Sequence, residues 1–137
     1  MGVYDISPPI SPELQVWPGD TPPTREILCD MKRGDHLTLS TIHATVHLGS
    51  HADAPSHYGQ DAPSIEQMDL DYYLGPCQVV RLPVERNTAI SPAMLKAPVT
   101  APRLLLATGT YPDPLVFTQD FAALTPELID FVCPNTA

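Results

Sequence analysis

Seventeen of the 137 residues are proline, about 12% against a usual share near 5%. They are scattered along the chain and form no tract. Each one fixes φ, removes a backbone donor and biases the residue before it away from helix. Long helices and long central strands are therefore excluded, and the chain is expected to be built from short elements joined by shaped turns. With 43% hydrophobic residues it can still bury a core. Its length suits one domain, taken here as residues 1–137.

Elements follow from pattern and punctuation. Val3-Tyr4-Asp5-Ile6-Ser7 reads as a short strand stopped by Pro8-Pro9, and Ser11-Pro12 opens a turn. Val16 to Pro23 is a rigid loop with three prolines, one glycine and the sole tryptophan, Trp17. That indole either plugs the edge of a core or is presented to a flat ligand; both readings stand on the loop alone. Thr24 to Met31 suits a strand, Gly34-Asp35 a turn, and His36 to Val46 a longer strand. Ser64 to Met68 reads as one helical turn, Asp69 to Leu74 is ambiguous, and Cys77 to Val84 is a strand. Ser91-Pro92 and Thr125-Pro126-Glu127 are N-cap and first-turn signals. They start a short helix over 93–96 and a second that ends near Cys133-Pro134. Arg103 to Ala107 is a nearly continuous apolar run, expected to be a buried strand. The fold class is α/β, a mixed sheet with few helices. Strand 103–107, a loop and the last helix look like part of a βαβ crossover whose next strand does not appear before Ala137. The domain is thus expected to lack its C-terminal part.

Charge and cysteines narrow the function. The net charge is −9 with seven dispersed Lys and Arg, which argues against a nucleic-acid groove or a polybasic membrane contact. Three widely spaced cysteines without a CxxC pair argue against a disulfide framework or a thiolate metal site. Reduced, buried cysteines are expected. No signal segment and no long apolar run is apparent, so a cytoplasmic soluble protein is expected.

Chemistry concentrates in His47-Leu48-Gly49-Ser50-His51-Ala52-Asp53-Ala54-Pro55-Ser56-His57. A lone histidine is usually structural, and His36 and His43 are read so. Three histidines and an aspartate at spacings of 4, 2 and 4 with turn residues between them are different. Gly49 and Pro55 oppose a helix, so an extended chain bent at Gly49-Ser50 would turn these odd-numbered residues to one side. His47, His51 and Asp53 offer two nitrogens and one oxygen, the ligand count of a catalytic zinc site with one position open. Water at such a site ionises near neutrality. Asp53 has a second oxygen for a second ion. His57, if not itself a ligand, is a candidate general acid/base. No nucleophile elbow or phosphate-binding glycine loop competes with this reading.

With these residues in view, the chain resembles the cyclase-type metal-dependent hydrolases, most closely the bacterial kynurenine formamidases. The HxGxHxDxPxH element matches residues 47–57. Asp5-Ile6-Ser7-Pro8, Trp17-Pro18-Gly19-Asp20-Thr21-Pro22, Tyr73-Leu74-Gly75-Pro76-Cys77 and Leu124-Thr125-Pro126-Glu127 also resemble that family. The resemblance implies a swivelling β/β/α fold, a homodimer, and hydrolysis of N-formylkynurenine to kynurenine and formate in tryptophan degradation. It implies His47, His51 and Asp53 as zinc ligands, Asp53 bridging two ions, His57 as the catalytic acid/base and Trp17 in the aryl pocket. In that family a later His and a Glu complete the binuclear site, and no histidine follows His57 here. Two other functions fit the same motif. One is an isatin hydrolase-like or other family amidohydrolase. The other is a truncated, inactive metal-binding chain that dimerises.

Overall fold

The computed structural model describes residue 2 and residues 4–133. The protein is mixed α/β with few helices, and every element is short, as the proline spacing demands. The described chain forms two compact units, one within Met1–Ala62 and Asp113–Phe117, the other within Pro63–Pro112 and Thr118–Ala137.

In the first unit, β1 (Thr24–Cys29) pairs antiparallel with β2 (Leu39–His43), from Thr24 opposite His43 to Cys29 opposite Leu39. A single 3-10 turn, Met31–Arg33, makes the connection. The Asp30 carboxylate caps it by accepting from Lys32 N–H, and Gly34 closes it. The sequence predicts a strand over 36–46, yet only five residues pair. The ladder with β1 ends at Thr24 opposite His43, and beyond it only the Thr45 N–H continues toward the other chain segment, donating to the Thr21 carbonyl at 3.2 Å. The predicted strand at Val3–Ser7 is corrected similarly. Val3 lies outside the described residues, and Tyr4 to Ser7 is irregular, with the Asp5 carboxylate accepting the Ser7 N–H at 3.0 Å. That local bond competes with extended pairing. Leu14 and Pro23 are buried in this unit.

In the second unit, β3 (Gln78–Arg81) and β5 (Leu104–Ala107) run parallel, with Val79 opposite Leu105. A smaller parallel pair joins β4 (Ala89–Ile90) to β6 (Ala123–Leu124). The one described α-helix, α1 (Pro126–Val132), starts where the cap signal places it. Thr125 Oγ1 accepts the Leu128 N–H at 3.3 Å. The helix packs on the 3-10 turn Pro92–Met94, which stands where a short helix was predicted. The end expected near Cys133-Pro134 is met at Cys133; Pro134 lies outside the described residues. Ile90 and Leu128 are fully buried here.

Two expectations about burial fail. The run 103–107 is not buried on both faces: β5 alternates, and Leu105 is 56% exposed beside Val79 at 59%. Among the described residues of this unit, nothing covers Val79 and Leu105 on that side of the strand pair. Cys77 and Cys133 are exposed, and only Cys29 is partly buried.

Candidate metal centre

The stretch from Thr45 to Tyr58 leaves the end of β2 as a loop and closes on a 3-10 turn, Pro55–His57. Two local features shape it. Gly49 adopts φ +61°, a conformation that costs an L side chain about 1–2 kcal/mol. Pro55 begins the 3-10 turn, where its missing N–H is no loss. Between these points the chain bends back on itself. The bend predicted at Gly49-Ser50 is where the structure puts it.

The bend brings three ligand-type atoms together. His47 Nδ1 lies 2.9 Å from Asp53 Oδ1 and 3.2 Å from His51 Nε2, and His51 Nε2 lies 3.3 Å from Asp53 Oδ1. The tautomer of His51 is settled by its other nitrogen. Nδ1–H donates to the Gly49 carbonyl at 3.0 Å, because a carbonyl can only accept, so in the neutral ring Nε2 carries the lone pair. A proton on His47 Nδ1 would bridge these atoms as hydrogen bonds, and a metal ion could take the place of that proton. Zinc–nitrogen and zinc–oxygen bonds of about 2.0–2.1 Å in a tetrahedron give ligand–ligand edges of about 3.3–3.4 Å. The observed edges approach that size, and the His51–Gly49 contact is the kind of second hydrogen bond that orients a metal-bound imidazole. The group can therefore hold a metal ion, and it is the grouping of this kind found among the described residues. All three side chains remain partly exposed, so water and small ligands reach them.

His57 joins the same cluster through ring contacts. Its ring centroid lies 4.2 Å from that of His47 and 4.3 Å from that of Tyr58. Trp17 is 53% exposed and makes a T-shaped contact with Phe117 at 5.5 Å, within the same unit. His43 faces Glu26 across the β1–β2 pair at 3.5 Å, in keeping with a structural role.

Sequence reasoning passed over Asp20 and Thr45. Thr45 Oγ1 accepts the His47 backbone N–H at 3.2 Å, and the Thr45 hydroxyl also acts on the nearby Asp20 carboxylate. That influence, then a bond from the Thr21 N–H, holds the Asp20 carboxyl below its ordinary value, with the nearby His47 adding to the effect and burial opposing it. The available signal was a Thr two residues before a candidate ligand histidine, a spacing at which hydroxyls bond backbone.

The family model for Cyclase, described as "Putative cyclase", matches residues 4–131. The match runs through both units and includes every residue of the metal centre.

Proposed function

This chain belongs to the Cyclase family, and on that premise we propose that it is a metal-dependent hydrolase that cleaves N-formylkynurenine to kynurenine and formate. The observation that carries the proposal is the triangle of His47 Nδ1, His51 Nε2 and Asp53 Oδ1. Those atoms would hold one divalent ion, zinc being the best match to two nitrogens and an oxygen. Such an ion supplies Lewis acidity toward a carbonyl and makes water acidic enough to ionise near neutral pH. The second carboxylate oxygen of Asp53 is the group available to bridge a second ion.

The remaining steps belong to the chain's own side chains. Breaking a formamide requires a proton for the departing aryl amine, which is otherwise a poor leaving group. His57 is the candidate donor, since imidazole exchanges protons at neutral pH and its ring rests on His47 beside the ligand triangle. Trp17 would take the aryl ring of the substrate; its indole is half exposed and held by Phe117. A homodimer completes the reading. The exposed apolar pair Val79 and Leu105 on β3 and β5 supports it, as an apolar face that water leaves unfavourably exposed.

The test is metal analysis with N-formylkynurenine turnover on the 137-residue chain. Bound zinc, turnover lost to a chelator and regained on adding zinc, and loss of zinc in Asp53→Asn are expected. His57→Asn should keep the zinc and lose about 10²- to 10⁴-fold in rate. A folded chain that takes up no divalent ion would overturn the proposal. Turnover of a cyclic amide such as isatin, without formamide cleavage, would move the substrate elsewhere in the family. A mass that stays monomeric at all concentrations in sedimentation would remove the homodimer.

A further inference from the structure

Trp17-Pro18-Gly19-Asp20 is a β-turn prescribed by its own residues. Proline stands second, Gly19 stands third at φ +95°, and the Asp20 N–H donates to the Trp17 carbonyl at 2.9 Å. The end of this turn is bound to the start of the metal loop. Asp20 Oδ1 accepts the Thr21 N–H at 2.7 Å. The Thr45 N–H donates to the Thr21 carbonyl at 3.2 Å. The Thr45 hydroxyl oxygen accepts the His47 N–H at 3.2 Å, and the Asp20 carboxylate is the nearby group toward which its one proton can turn. Every partner in this series lies in the first unit.

We propose that Asp20 and Thr45 are positioning residues that tie the Trp17 turn to the backbone of His47, so that the aromatic loop and the first metal ligand hold one another in place. The inference rests on the reading of His47, His51 and Asp53 as ion ligands. Neither residue touches the ion or the substrate. Their effect is on where His47 Nδ1 sits relative to His51 Nε2 and Asp53 Oδ1, and on how firmly the indole is presented. Removing partners of this kind typically costs 10- to 100-fold in metal affinity.

Trp17 is the only tryptophan, so its fluorescence reports on the loop directly. Four variants of the whole chain separate the roles. Asp20→Ala and Thr45→Val break the series, whereas Asp20→Asn and Thr45→Ser keep an acceptor and a hydroxyl. Two readouts are taken: acrylamide quenching of Trp17 in chelator, and the zinc dissociation constant by competition with a chromophoric chelator. Asp20→Ala and Thr45→Val should increase quenching and weaken zinc about tenfold or more. Asp20→Asn and Thr45→Ser should restore both to near the parent values. If Thr45→Val leaves both readouts unchanged, or if Thr45→Ser is as impaired as Thr45→Val, the proposal is wrong. If the parent chain takes up no zinc, the ion reading is what fails, and the quenching comparison still decides whether the tie exists.

Discussion

Replacing Gly49 by alanine places a known cost at the bend of the metal loop. A Cβ there would lie 3.4 Å from Leu14 Cδ2 and 3.9 Å from Pro8 Cγ, which is ordinary contact. Crowding contributes little, and the cost is that of holding an L residue at φ +61°, about 1–2 kcal/mol. The Gly49 carbonyl accepts the His51 Nδ1–H, so any relaxation of the backbone to escape that cost turns His51 away from the ligand triangle. The two ways of bearing the strain form a closed cycle. Stability lost in the zinc-loaded protein equals stability lost in chelator plus the loss in zinc binding. If binding bears all of it, the zinc dissociation constant rises roughly 5- to 30-fold, at 1.4 kcal/mol per factor of ten. The assay is urea unfolding followed by Trp17 emission, with excess zinc and with chelator, beside a zinc competition titration. Gly49→Asn is the internal control, since Asn tolerates this conformation better. A loss below about 0.5 kcal/mol in the zinc-loaded protein would refute the reasoning. So would Asn performing no better than Ala.

Three further outcomes are expected. Leu128→Ala, at a fully buried site on α1, should cost about 2–5 kcal/mol in urea unfolding followed by circular dichroism. Thr110→Val should cost about 1–2 kcal/mol by the same assay, because the buried Thr110 Oγ1 accepts the Ala122 N–H at 3.0 Å and valine leaves that donor unpaired. The Asp20 carboxyl is held below its ordinary value of 3.8, first by the Thr45 hydroxyl. A depressed folded-state value means stability present in full above pH 3.8 and withdrawn as pH falls below it. Acid titration of Trp17 emission should therefore show a transition below that pH in the parent that is missing from Asp20→Asn.

The amino-acid sequence determined whatever is settled over a few residues. Thr125-Pro126 starts α1, Pro18-Gly19 makes the Trp17 turn, and Thr24 to Cys29 is extended. The grouping of residues that could hold an ion was legible for the same reason. His47, His51 and Asp53 span seven residues, with the bend at Gly49 between them. Tertiary structure decided what depends on partners far along the chain. β2 stops at His43 because β1 offers no further pairing, and Tyr4 to Ser7 finds no partner strand. β3 finds β5, and β4 finds β6, across intervals that carry no local signal of parallel pairing. Leu105 looks outward although its neighbours in sequence are apolar, because burial requires something packed on that face. Asp20 and Thr45 are 25 positions apart, and only folding brings Thr45, whose hydroxyl accepts the His47 N–H, beside the end of the tryptophan turn, where its own N–H donates to the Thr21 carbonyl.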